Sequence, residues 1–135
     1  MNWRDLPSSP FGDTPALADE LATLVLAGIK RATCWAASEG TKASEVGKPW
    51  VMLGGSGEPL GVLETTELTR RRFNEVDSAF AYDEGEGDRS LAFWRQAHRD
   101  YFGRRGEFAE DMLLYCERFR LVEHIAESDE SRPVT

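Results

Sequence analysis

The run Leu24-Val25-Leu26-Ala27-Gly28-Ile29-Lys30-Arg31-Ala32-Thr33-Cys34-Trp35 is where one kind of periodicity ends and another begins. Upstream, Leu17, Leu21, Leu24, Val25 and Gly28 recur at three- and four-residue spacing, which predicts one buried face of a helix over 15–27. Thr14 followed by Pro15 suits a cap with proline in the first helical position. Asp19 and Glu20 favour the positive end of the helix dipole, and Gly28 suits the stop. Downstream, Ile29 to Trp35 reads as a turn entering a strand. A helix feeding directly into a strand, without a repeating βαβ rhythm, points to an α+β fold.

Working outward, residues 1–12 read as an irregular lead-in and 37–49 as a polar connection. Trp50 to Leu53 is a short strand, and the Gly/Ser/Pro-rich stretch 54–59 is a turn into a β-rich segment over 60–69, so the two form a hairpin. Arg70-Arg71-Arg72 follows as a solvated strand end. Residues 73–82 contain one short helix. Asp83-Glu84-Gly85-Glu86-Gly87-Asp88 reads as loop, because glycines and repelling carboxylates suit neither regular structure. Ser90 caps a second long helix over 91–102, with Leu91, Trp94, His98 and Tyr101 or Phe102 inward. Met112 to Val122 is the last and longest strand. These elements predict a single domain over 1–125 and a polar, frayed tail over 126–135.

The 135 residues suffice for one core, with a hydrophobic fraction of 41% and four tryptophans. No run approaches the roughly 20 apolar residues of a membrane span. The opening Met1-Asn2-Trp3-Arg4-Asp5 lacks the order of a signal peptide, so a cytoplasmic, non-membrane protein is expected, a monomer or a small homo-oligomer. Cys34 and Cys116 are far apart and form no metal or disulfide framework; both read as small buried core residues. The net charge of −8 excludes a general nucleic-acid coat protein. An RNA contact would need a local basic patch or a pocket for one base.

Several separated pieces resemble the ASCH domain family, the β-barrel relatives of the PUA RNA-binding domains. Phe11-Gly12-Asp13 with Leu17-Ala18-Asp19-Glu20-Leu21 is similar to the opening of one ASCH subgroup, and Gly28 to Thr33 matches the family's G-x-K-x-x-T signature. Phe73 to Asp77, Ala81 to Asp88 with its Glu-Gly-Glu-Gly-Asp loop, Trp94-Arg95 with His98, and Cys116 to Arg120 continue the series across residues 11–122. The resemblance implies a mostly antiparallel PUA-like β-barrel of five or six strands with flanking helices. It also implies a cleft beside the signature and a link to RNA or modified nucleosides. One branch is similar to acetylcytidine amidohydrolases, in which the signature lysine and threonine act with a glutamate. By motif these fall on Lys30, Thr33 and Glu84, with Glu86 as the competing glutamate. That branch lacks the extended Phe11-to-Leu21 opening and the 85–88 segment.

Chemically, Thr33 needs a base, and Lys30 can be one if burial or the neighbouring Arg31 lowers its pKa. Glu84 could shuttle a proton. Glu86, Trp94, Arg118 and Arg31 are the candidate substrate-binding residues: a carboxylate at the cleft, a ring that could stack a base, and two guanidinium groups. No cofactor is required and no metal ligand is assigned, although Glu84, Glu86 and Asp88 could take a divalent cation. The plain alternatives are a lysine at a helix C-terminus, an ordinary strand threonine, a core tryptophan and a solvated acidic loop. Three functions stay open: a nucleoside hydrolase, a non-catalytic RNA-binding module using the same cleft, and a metal-assisted ribonuclease. If RNA is bound through a small pocket and the arginine run, log affinity should fall with log salt with a slope on the order of 2 to 3, at roughly 0.7 per phosphate on a single strand. Changing Arg70, Arg71 and Arg72 together to Ala should lower that slope further in a fluorescence anisotropy titration.

Overall fold

In a computed structural model that describes residues 2–125, eight main elements follow in the order β1 (Ser8–Pro10), α1 (Pro15–Leu26), β2 (Ala32–Ala36), β3 (Pro49–Leu53), β4 (Pro59–Arg72), α2 (Ser78–Glu84), α3 (Leu91–Arg104) and β5 (Leu113–His124). The tail expected over 126–135 lies outside the described residues. The strands form one mixed, mostly antiparallel sheet in the order β1-β3-β4-β5-β2, in which β1 alone pairs parallel to its neighbour. The sheet is not closed, so the expected barrel is open between its edges β1 and β2. The edge strands are short, three residues in β1 and five in β2 against fourteen and twelve in β4 and β5, so they offer few backbone groups whose pairing could hold a closed barrel. Both edge strands nevertheless face one cavity.

Local chemistry places the helices as expected. Thr14 Oγ1 accepts from the Leu17 amide at the start of α1, Asp77 accepts from Phe80 at α2, and Ser90 accepts from Phe93 at α3. At the end of α1 the chain turns through Gly28 at φ +78°. The Ile29 and Lys30 amides then return to the Leu24 carbonyl, which satisfies the helix end and aims Lys30 inward. Two readings need correction. The lead-in contains β1, which has no apolar alternation because all three of its residues are exposed; backbone pairing with β3 holds it. The acidic stretch is not all loop, since Asp83 and Glu84 complete α2 and Glu84 is buried.

Two large apolar clusters flank the sheet, and a smaller one gathers Val51, Val62 and Ile125. Leu21, Ala22 and Val25 of α1 pack on Met52, Leu63, Phe119 and Phe11. Phe80, Trp94 and Phe102 from α2 and α3, with Phe73, pack on Ala32, Leu114 and Cys116. The connections after α1 and α2 meet between these clusters. Gly85 permits the meeting: it ends α2 at φ +74°, and a Cβ there would stand 2.5 Å from the Ile29 carbonyl oxygen and 2.9 Å from Lys30 Cα. Gly28 has nothing within 4 Å of such a Cβ. Gly28→Ala should therefore cost roughly 1 kcal/mol, from backbone strain alone. Gly85→Ala should exceed the strain range of about 1–3 kcal/mol, because backbone must also move. Chemical denaturation of the two variants checks the difference.

Candidate functional site

Lys30 follows the α1 turn and precedes β2, so its side chain does not obey strand alternation. It is 2% exposed. Its ammonium donates to the Ala32 carbonyl at 2.8 Å, to Glu84 Oε1 at 3.0 Å and to Glu86 Oε2 at 3.0 Å, with the Glu84 carbonyl at 3.3 Å. Three N–H groups thus meet at least three acceptors, as a buried ammonium requires. The Phe11 ring lies 5.6 Å away. The second oxygen of Glu84 collects three donors: Trp94 Nε1 at 2.6 Å, Cys34 Sγ at 3.2 Å and His98 Nε2 at 3.2 Å.

The electrostatics follow from this packing. Burial opposes the Lys30 ammonium, but the fields of Glu84 and Glu86 outweigh it and hold its pKa above the ordinary value. The expectation that burial or Arg31 would lower it is corrected by those two carboxylates. Lys30 is a fixed cation, and a proton-accepting role for it has no support here. Burial likewise pushes Glu84 up, but Lys30 and His98, with hydrogen bonds from His98 and Trp94, hold it well below the usual carboxylate range. Burial, the largest influence, lowers His98, but Glu84, the Trp94 carbonyl and Glu86 together hold it above its ordinary value. With Nδ1 on the Trp94 carbonyl and Nε2 on Glu84, the ring is held as an imidazolium. Burial and the Glu84 charge push the Cys34 thiol well above its ordinary value, so it is a hydrogen-bond donor and a poor nucleophile.

Lys30, Thr33, Glu84 and Glu86 all line one cavity of about 460 Å³, within the range of small-molecule sites. Thr33 and Cys34 both reach it from the edge strand β2. The other candidates lie elsewhere. Trp94 is buried behind Glu84 in the α2/α3 cluster and is absent from the cavity wall, so the stacking reading gives way to a core role. Arg31 is exposed and pairs with Asp83 at 2.8 Å. Arg118 pairs with Asp83 at 2.9 Å and Glu67 at 2.8 Å, which spends both cations on the protein itself. Arg70 and Arg72 border a separate shallow depression with Asp111. Cys116 is core, while Cys34, directly across from it in the β2–β5 ladder, is half-buried at the cavity.

The structure adds residues that sequence reasoning left aside. His98, Tyr101 and Arg104 reach the cavity from α3, and Lys42 and Lys48 from the connection between β2 and β3. Glu117 of β5 is 4% exposed on the wall; its place in the alternation Tyr115, Phe119 and Leu121, a charge where the strand otherwise puts apolar side chains, was the available signal. For a metal, the acidic stretch is already spent: Glu84 and Glu86 hold Lys30, and Asp88 accepts from the Ser90 amide before α3. Atoms of Cys34, Glu84 and His98 lie within 4.8 Å of one another, a donor set that zinc accepts, but all three are joined by hydrogen bonds around an oxygen of a carboxylate that also carries Lys30. Lys30→Met should destabilise the fold by about 3–5 kcal/mol, the cost of leaving a buried charge without its partner. The double variant Lys30→Met/Glu84→Gln should recover part of that loss in urea denaturation.

Among the described residues no helix is long and apolar enough to cross a membrane. No curated protein matches the chain. Among solved structures, the ASCH domain from Lactobacillus crispatus JV V101 is 38% identical with a TM-score of 0.80, over 87% of this chain and 80% of that one. Protein EF3133 from Enterococcus faecalis V583 is 28% identical with a TM-score of 0.78, over 96% and 85%. The hypothetical protein PH0355, 14% identical with a TM-score of 0.57 over 77% and 93%, shares the fold. The ASCH domain profile matches residues 8–123, which include the Gly28–Thr33 signature and every element that brings Lys30 and Glu84 together, and the chain belongs to the ASCH domain family.

Proposed function

We propose that this ASCH protein, of the subgroup with the Phe-Gly-Asp opening and the Glu-Gly-Glu-Gly-Asp loop, is a small hydrolase. Its substrate is a modified nucleoside, free or within RNA, and the reaction takes place beside Lys30. One observation carries the reading: a fully buried ammonium, pre-positioned by two carboxylates, lies on the wall of a nucleoside-sized cavity together with a threonine hydroxyl. Buried charge clusters in clefts are where perturbed groups serve function. The protonated state of Lys30 suits stabilisation of a developing oxyanion.

In the free protein every Lys30 proton is engaged. Glu86 is the partner that can yield, since its side chain is 27% exposed while that of Glu84 is 3%. A substrate acyl oxygen that takes the place of Glu86 on Lys30 releases a carboxylate beside the reacting carbon. Glu86 then accepts the proton of the attacking Thr33 hydroxyl or of a water and returns it to the leaving amine. With Thr33 as nucleophile the amide C–N bond breaks as an acyl ester forms on its Oγ1, and a water then cleaves that ester; with water as nucleophile the C–N bond breaks directly, and either route consumes one water. Glu84, held ionised by four donors, keeps Lys30 and His98 in place, so the two glutamates divide positioning and proton transfer. A second reading has its own support: the cluster is fully satisfied without substrate, which suits a base-binding pocket with no catalysis. The spent carboxylates weigh against a metal-assisted ribonuclease.

The purified protein should deacylate N-acylated nucleosides in the presence of chelator. Glu86→Gln should lower kcat by about 10²–10⁴-fold and Lys30→Met, where it folds, by about 10²–10³-fold. Thr33→Val should match Glu86→Gln if threonine is the nucleophile. Saturable binding without turnover would replace this reading by the binding module, and chelator-sensitive cleavage of single-stranded RNA by the ribonuclease.

A further inference from the structure

Away from Lys30, the cavity wall carries a second ionisable group that the proposed chemistry does not use. Glu117 is buried on β5 and forms no ion pair among the described residues. Thr65 Oγ1 donates a short hydrogen bond to its Oε2, at 2.5 Å. Burial pushes its pKa above the ordinary value, while Thr65, Ser44 and Trp50 nearby pull the other way. Such a carboxyl destabilises the fold and has no structural cation to justify it. Ser44 adds a second observation. It lines the same cavity, and although its hydroxyl stands near enough to favour the ionised carboxyl, Ser44 Oγ is buried without a partner of hydrogen-bonding geometry.

Register ties this corner to the reacting one. Glu117 is the direct cross-strand partner of Thr33, so the two side chains leave the same face of the β2–β5 ladder as neighbours. A ligand that touches Thr33 is within reach of Glu117. The walls around them are aromatic and aliphatic, with Trp50, Phe11 and Leu21 on the cavity. An apolar slot with one unpaired acceptor and one unpaired hydroxyl suits a planar heterocycle that offers an N–H donor.

We infer that Glu117, with Ser44, is the specificity-determining subsite of this cavity and holds the exocyclic N–H of a nucleobase, the one that an acylated amino group keeps, while the acyl carbonyl on that nitrogen lies at Lys30. The inference rests on the nucleoside reading above and names the substrate class within it: amino nucleosides, in preference to those that lack the amino group. It holds whether the cavity catalyses or only binds.

The test compares nucleosides that differ by the amino group alone: adenosine with purine riboside, and cytidine with pyrimidin-2-one riboside, titrated calorimetrically into the full chain. The amino member of each pair should bind about 10- to 100-fold more tightly, the range of a hydrogen bond to a charged acceptor. Glu117→Gln keeps an oxygen for Thr65 and turns an NH2 toward the cavity, so the preference should shrink to within about 3-fold. Ser44→Ala removes one hydroxyl from the cavity wall and should weaken amino-nucleoside binding several-fold, which keeps the question decidable if the Glu117 variant is unstable. Wild-type binding that ignores the amino group, a preference that survives Glu117→Gln, or unchanged affinity in Ser44→Ala overturns the subsite alone. A wild-type protein that binds none of the four nucleosides overturns the nucleoside reading with it.

Discussion

A lysine ammonium taken out of water must recover its hydration from the protein, and Lys30 does so with two carboxylates and a backbone carbonyl. That one requirement joins the two halves of the chain. Its partners come from the end of α2 and the residues after it, more than fifty positions away, and the approach is so close that Gly85 has no room for a side chain. Arg31 makes the same bridge from outside, through its amide to the Asp83 carbonyl and its guanidinium to the Asp83 carboxylate. The ion pair is thereby part of the seam between the α1 cluster and the α2/α3 cluster. Desolvation makes such a pair a poor source of net stability but a strict selector of geometry once it exists.

The cluster extends inward through Glu84. One of its oxygens serves Lys30 and the other gathers Trp94, Cys34 and His98, so a core tryptophan and an α3 histidine fix the angle of a cavity-wall carboxylate. Trp94 acts on the site from behind, through its indole N–H, and His98 stacks on it with ring centroids 4.3 Å apart. These are the supporting contacts that keep a polar site rigid. The cavity they border is polarised, with the Lys30 cluster on one side and the cation-free carboxyl of Glu117 near Thr33. Lys42, Lys48 and Arg104 supply positive charge at the same cavity in an otherwise acidic protein. The arginine run at the end of β4 lies apart from it and is drawn into contacts with Glu67, Asp77 and the Asp111 carbonyl.

Periodicity, caps and turn residues determined α1, α3, the hairpin of β3 and β4, and the long last strand, because each depends on residues within a few positions of one another. The Gly28-to-Thr33 signature and the glutamate context after Ala81 likewise marked Lys30, Thr33, Glu84 and Glu86 as candidates. Tertiary structure decided what local pattern cannot express. β1 exists through backbone bonds to β3 and leaves no trace in side-chain alternation. Glu84 and Glu86 differ in sequence only by position in a repeated Glu-Gly context, yet α2 ends between them, burying one and leaving the other partly exposed. Charge state was equally out of reach: Lys30 beside Arg31 suggested a lowered pKa, whereas folding turns Arg31 outward to Asp83 and brings two carboxylates to Lys30. Glu117 became part of the site only when strand register set it opposite Thr33. Short-range sterics and hydrogen bonding are written in neighbouring residues; desolvation and pairing between distant side chains arise only when the chain has closed around them.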